Sequence, residues 1–261
     1  MTGDRPIRTF SLNPDDVADL DRIRIADDSC FDLEQLPLLE RDRRKGRPFA
    51  PAVRFHHEHQ DVESDGWRQL LDVIDEAADD GRELFWPIMD LGPERMTEIL
   101  ELPPAISKLT SVTHVRLYGS NLVRFPPEIA QMQSLVELDA YRSYRLHWFP
   151  FEIVRCRELR ESRISTRALY GNVKYRWDFP DLDEEDPSEW VGDGTCSVCE
   201  GPFEEGPPRL AWISLGIGTD VVPLLVRACS EACIESLPEP PKGYVGRPHR
   251  GGRSLIQPAT R

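Results

Sequence analysis

Six cysteines stand at positions 30, 156, 196, 199, 229 and 233, and the last four crowd into 38 residues. They form two close pairs, Cys196-Ser-Val-Cys199 and Cys229-Ser-Glu-Ala-Cys233. In a reducing compartment such spacings point to metal rather than to disulfides. A CxxC knuckle lets two thiolates grip one ion while neighbouring backbone N–H groups stabilise their charge. The CxxxC pair places two more thiolates on one side of a helical turn. Four soft sulfurs in tetrahedral array favour Zn2+, with Zn–S distances of about 2.3 Å. A complete set of four leaves no open coordination position, so the one expected zinc is structural rather than catalytic. The competing readings are four free thiols or a redox dithiol, and the latter needs a thioredoxin-like βαβ context that is lacking around these residues.

Other candidates for chemistry are weaker. His56-His57-Glu58-His59 would put His57 and His59 on one face of a strand, near enough to share a metal. The HExxH spacing is missing, and a polar strand or loop is the better reading. The cluster nevertheless defines the main alternative, an enzyme or enzyme subunit with a metal or histidine site in the N-terminal region. No P-loop, GxGxxG or GxSxG occurs, since Gly216-Ile-Gly218 lacks both the third glycine and a following helix. No catalytic residues are therefore assigned.

The elements that must position the cysteines can be read from periodicity. Two apolar stretches, from Leu210 and from Val221, flank Gly216-Ile-Gly218-Thr-Asp220 and predict a hairpin between the cysteine pairs. Ile234 to Leu237 would continue a helical turn after Cys233. Upstream, Trp67, Leu70, Leu71, Ile74 and Ala78 recur at helical spacing over 65–78, with Ser64 or Asp65 as cap and Gly81 just past the end. Leu84 to Leu91, LFWPIMDL, reads as a buried strand suited to an edge by Pro87. Pro14-Asp15-Asp16 could start a short helix through Leu20 and Ile23, and RDRRKGR at 41–47 reads as a solvated loop.

Between these regions the chain repeats itself. LPPAISKL at 102–109 returns as FPPEIAQM at 125–132 and as FPFEIVRC at 149–156, offsets of 23 and 24 residues. One set of apolar columns comprises Val112, Val115, Leu117, Leu122, Phe125, Pro126, Ile129 and Met132. The next comprises Leu135, Leu138, Ala140, Leu146, Phe149, Pro150, Ile153 and Cys156, and Leu159, Ile164 and Leu169 begin a third. Cys156 thereby reads as a small core residue, while Cys30 has no assignment. This pattern resembles the leucine-rich-repeat family, whose unit is LxxLxLxxNxLxxLPxxIxxL, and covers about a quarter of the chain. The resemblance implies one short strand and one return per unit, stacked on a shared core that needs roughly three or more units. Three departures stand out. Ser120, Ser143 and Arg167 replace the family's asparagine, Ser162 replaces an apolar residue, and one residue is inserted near Tyr144. The order knuckle, hairpin, short helix is likewise similar to treble-clef zinc fingers over about forty residues.

A leucine-rich-repeat array implies recognition by the side chains that alternate with the core residues. The aligned columns are His114, Glu137 and Glu161; Arg116, Asp139 and Arg163; and Tyr118, Tyr141 and Ser165. Tyrosines flanked by Arg and Asp suit a protein or peptide partner, and Arg116–Asp139–Arg163 also suits a cross-strand charge ladder.

The expected architecture is α/β: a short leucine-rich-repeat solenoid with a helical N-terminal cap and a small zinc-stabilised hairpin/helix domain. Its divisions are a charged, helical capping region at 1–83, the array at 84–177, an acidic linker at 178–195, the zinc finger at 196–240 and a basic Gly/Pro-rich tail at 241–261. The tail could pack as an extended arm, dock on the acidic linker or stay flexible. A net charge of -14 argues against nucleic acid and anionic membranes as general partners, although a zinc-finger nucleic-acid binder stands as a third reading. No apolar run reaches the roughly 18 to 20 residues that span a bilayer, and the first residues lack a secretory apolar region. A cytoplasmic location is accordingly the expectation, and arginine's excess over lysine hints at a GC-rich bacterial genome.

Overall fold

The computed structural model describes residues 53–185, 187, 194–203 and 206–259. The expected short helix at 14–23, the basic loop at 41–47 and Cys30 lie outside the described residues. Those described form a mixed α/β structure with one parallel sheet, one mixed sheet and short helices.

Among the described residues helix α1 (Asp65–Asp79) is the first element, and the Ser64 hydroxyl accepts the Trp67 N–H at 3.2 Å as its cap. Gly66, Leu70, Val73, Ile74 and Ala77 face the core, a stripe rotated slightly from the one read in the sequence, with Trp67 and Ala78 at its margin. At the start of α1 the Gly66 N–H donates to Glu98 at 2.7 Å, and a Cβ on Gly66 would lie 2.7 Å from the Arg95 carbonyl oxygen. The first turn of α1 is thus seated tightly on the 95–98 segment, with room for a glycine only.

The strand expected over 84–91 is corrected by the structure. Only Leu84–Phe85 (β1) pairs, and Pro87–Leu91 (α2) and Pro93–Met96 (α3) are short helices. Each proline occupies the first helical position, where its missing N–H has no partner to lose and its fixed φ suits the turn.

Strands β2 (His114–Arg116), β3 (Glu137–Ala140) and β5 (Glu161–Ile164) continue the parallel sheet from β1. Residue 114 pairs with 137 and 137 with 161, so the sequence offsets of 23 and 24 become lateral register. A 3-10 helix precedes each of these strands, at Pro104–Lys108, Pro127–Gln131 and Phe151–Arg155. The three pack on one another in series, and α1 packs on the first of them. Ile106, Ile129 and Ile153 from the 3-10 helices and Val115 and Leu138 from the strands are all buried in one core.

Strands β6 (Arg209–Ile217) and β7 (Asp220–Ala228) form an antiparallel hairpin closed at Gly218-Thr219, and β4 (Phe149–Pro150) pairs in parallel with β7. The hairpin is buried on both faces, which explains its near-continuous apolar stretches. Ala211, Ile213, Leu215, Val222, Leu224 and Val226 join the main core. Trp212 and Leu225 point the other way, into a second cluster with Val53, Phe55, Trp148, Tyr170, Phe179 and Leu182. Trp212 is its hub, fully buried, with ring centroids of Phe55 and Phe179 both at 5.6 Å. Phe179 and Leu182 fall inside the stretch read as a solvated acidic linker, so its beginning is core rather than spacer. The basic tail meets this region: the His249 and Trp212 backbones exchange hydrogen bonds, and Arg250 reaches Asp183 at 2.6 Å. Among the described residues no helix is long and apolar enough to cross a membrane.

Candidate metal centre

The antiparallel hairpin carries the two cysteine pairs to one place. Cys196 and Cys199 sit in the turn before β6. Cys229 follows β7 directly, and Cys233 lies on α4 (Glu231–Glu235), capped by Ser230, whose hydroxyl accepts the Cys233 N–H at 3.3 Å. All four Sγ atoms lie within 4.8 Å of one another, and Cys229 is 3.6 Å from both Cys199 and Cys233. Sulfurs at the corners of a tetrahedron with bonds of about 2.3 Å would stand about 3.8 Å apart, so the cluster has the dimensions of a four-thiolate metal site. These separations are far beyond a disulfide bond, and all four cysteines are free. Among the described residues no other group of three or more Cys, His, Asp or Glu donors converges in this way.

The backbone around Cys196 is arranged for anionic sulfur. The N–H groups of Val198, Cys199 and Cys229 donate to its Sγ at 3.4, 3.5 and 3.3 Å. Burial pushes this thiol up, but the three N–H donors outweigh it and bring Cys196 down to about 7. Hydrogen bonds shared with Cys199 and Cys233 hold Cys229 up at about 12. A divalent ion bound among the four sulfurs would displace the protons their thiols carry. Glu200 adopts φ +62, the left-handed conformation that turns the chain back so that the Cys196 N–H meets the Gly201 carbonyl at 2.8 Å.

Beneath the cysteines lies a polar network that sequence reading missed. Ser197, inside the CxxC, donates its hydroxyl to Glu152 at 2.7 Å and accepts the Arg227 backbone N–H at 3.1 Å. Arg227 also pairs with Glu152 at 2.9 Å, both side chains 5% exposed. Arg155 donates to the Ser197 carbonyl at 2.7 Å. Glu152 aligns with Glu128 of the preceding repeat, which is only half-buried, so nothing in the sequence marks it as a core residue.

Among the described residues His56, His57 and His59 are not brought into one metal-ligating group. His56 is buried, with Nδ1 3.2 Å from Glu58, and its ring stacks on His147, which stacks on Tyr170. His57 and His59 are exposed. The segment that carries them lies outside the described helices and strands and is held by Arg124, which donates to the carbonyls of His56 and Glu58 at 3.0 and 2.7 Å.

The predicted recognition columns fall side by side on the parallel sheet: His114, Glu137 and Glu161 in one row, Arg116, Asp139 and Arg163 in the next. His114 lies 3.7 Å from Glu137, and Arg163 lies 3.3 Å from Asp139, which supplies one rung of the expected charge ladder. Tyr118 and Tyr141 stand 6.0 Å apart, Tyr141 exposed. Ser120 and Ser143, at the asparagine positions, hydrogen-bond to each other at 2.8 Å, and Ser143 donates to the Leu117 carbonyl at 2.8 Å. Of these two hydroxyls, that of Ser143 satisfies a backbone carbonyl. Ser162, polar in an apolar column, donates to the Ile217 carbonyl at 2.9 Å, and its own carbonyl accepts the Thr219 hydroxyl at 2.7 Å. The hairpin turn docks there, so the column ends in a polar socket.

No model of a known protein family matches the chain, and no curated protein matches it.

Proposed function

We propose that the chain is a leucine-rich-repeat-type scaffold or adaptor that recognises a protein or peptide through the face of its parallel sheet that bears Tyr118 and Tyr141. In this reading one structural Zn2+ is held by Cys196, Cys199, Cys229 and Cys233, and the chain carries no catalytic centre. The observation that carries the recognition role is the lateral register of β2, β3 and β5. It gathers Tyr118, Tyr141, Arg116 and Arg163 from separate repeats onto one surface. Tyr141 and Arg163 are exposed and Tyr118 and Arg116 half-buried, and aromatic and arginine side chains grouped in this way have the composition of binding hot spots. Zinc is supported by the all-sulfur donor set and its tetrahedral spacing.

The test is capture of partners from a lysate of the native cell. Tyr118→Ala with Tyr141→Ala should lower recovery of the specific partner by about tenfold or more, the scale of losing a hot-spot aromatic. The melting temperature should hold, because both rings lie outside the buried core. Undiminished recovery by the double variant would remove the sheet face as the site.

A further inference from the structure

Resting on the recognition reading above, we infer that the partner segment bound on the sheet is acidic: a short extended peptide whose carboxylates enter a strip of arginines stacked on aromatic rings. Four such pairs succeed one another across the ends of the strands. Arg116 lies over Trp86 at 5.3 Å, Arg142 over Tyr118 at 5.8 Å, Arg163 over Tyr141 at 5.7 Å and Arg167 over Tyr144 at 4.6 Å. The Tyr118 and Tyr141 rings stand 6.0 Å apart, which sets the Arg142 and Arg163 pairs side by side.

Stacking engages the face of a guanidinium and leaves its in-plane N–H edges able to grip a carboxylate in bidentate fashion. Arg163 and Arg167 are exposed and Arg116 is half-buried, so these edges lie within reach of a ligand. Asp139 contributes a carboxylate to the strip. It is 3.3 Å from Arg163 through one oxygen and accepts the Tyr141 N–H at 3.1 Å through the other. Among the described residues, cations thus outnumber anions along the strip and make a local positive field on a chain of net charge -14.

The field reverses one row away, where Glu137 and Glu161 stand toward the other ends of the strands. That reversal limits the ligand. From β1 to β5 there are three inter-strand steps of about 4.8 Å, or about 14 Å, which an extended peptide crosses in four to five residues. Arginines with aromatics also suit single-stranded nucleic acid. A long polyphosphate would run off the strip onto the acidic rest of the molecule, whereas a four- or five-residue acidic segment is satisfied within it.

Fluorescence anisotropy of the full-length, zinc-loaded protein tests this with labelled hexaglutamate, hexaserine and a six-nucleotide oligo-dT. At about 25 mM salt hexaglutamate should bind saturably, and at about 200 mM its affinity should fall several-fold as exposed charges are screened. Arg116→Gln, Arg163→Gln and Arg167→Gln combined should weaken it about tenfold or more at unchanged melting temperature. The triple Arg→Lys variant should fall between, keeping charge but losing the planar fork. Hexaserine binding as well as hexaglutamate, oligo-dT binding more tightly, or a triple Gln variant indistinguishable from the parent would each overturn the inference. Lysate capture that depends on Tyr118 and Tyr141 but not on the three arginines would defeat the acidic ligand while leaving the recognition role standing. Capture indifferent to both sets would defeat the two together.

Discussion

Three buried histidines should make this fold acid-sensitive well above the carboxylate range. Burial holds His56 down at about 4, with Arg145 adding to the effect against the pull of Glu58. Burial and the facing His56 ring hold His147 down at about 3, and burial alone holds His249 at about 4. A group whose folded pKa lies below its unfolded value of about 6.5 binds its proton more readily when unfolded. Stability is therefore complete above pH 6.5 and drains away as pH falls from there toward 4. At pH 5.5 each histidine costs about 1.4 kcal/mol, since the unfolded imidazole is tenfold more often charged than not while the folded one stays neutral. The three together cost about 4 kcal/mol, a large share of a typical 5–15 kcal/mol. With a urea slope of about 2 kcal/mol/M, the unfolding midpoint should drop by about 2 M between pH 8 and pH 5.5. Protonation of thiolates at the candidate metal centre would add its own acid sensitivity, so the decisive quantity is the difference between parent and His147→Phe. The variant keeps a ring between His56 and Tyr170, gives up the hydrogen bond to the Ala168 carbonyl and loses one titrating site. Its stability should fall by about 2.5 kcal/mol per pH unit near pH 5.5 from histidines, against about 3.7 in the parent. Equal slopes in the two proteins would refute the assignment.

Two further perturbations address the metal centre and the hairpin socket. Cys199→Ser should abolish stoichiometric zinc by elemental analysis and lower the melting temperature to that of chelator-treated parent, because structural zinc supplies folding energy directly; full zinc content in the variant would contradict the four-thiolate assignment. Gly218→Ala should destabilise by about 2 kcal/mol, since Gly218 holds φ +58 and a Cβ there would lie 3.0 Å from the Ser162 hydroxyl and 3.1 Å from Glu161. Gly216→Ala, with open space around its Cβ site, is the control and should shift the thermal midpoint little.

What the sequence revealed and what it hid divide along a physical line. Local signals held: Ser64 before an amphipathic run is a helix start, and two apolar stretches about Gly218-Thr219 make a hairpin. The repeat offsets also held as lateral register, because residues that recur at a fixed spacing meet their equivalents when stacked. Pro87 suits an edge strand by its missing donor, but a proline starts a helix as readily, and there the helix wins. Glu152 and His147 were illegible for another reason. Their burial is decided by the distant Arg227 and His56, and single residues carry no mark of partners 75 and 91 positions away. Ser162 did carry a signal, a polar residue in an apolar column, but its meaning depended on the hairpin turn that fills the place.

These hidden contacts bear on what the four thiolates accomplish. Were the cysteine cluster a self-contained head, its ligand loops would hold to themselves and the metal would stabilise about forty residues. Instead Cys196 is fully buried in the same core as Ile129 and Leu138. The residue beside it, Ser197, joins Glu152 and Arg227 in a buried network where neither charge can be left alone without a penalty of about 3–5 kcal/mol. At the other end of the hairpin, Thr219 is locked into the last parallel strand through Ser162. One end of the hairpin is thus fixed by sulfur and the other by the strand, and between them both faces are packed. An ion that positions Cys196 and Cys229 fixes the ends of β6 and β7, and through β7 it fixes the side of the core beyond the last repeat. The sheet face that bears Tyr141 and Arg163 is only as rigid as that support, so in the proposed reading a bound ion would act on recognition by holding a surface it does not touch.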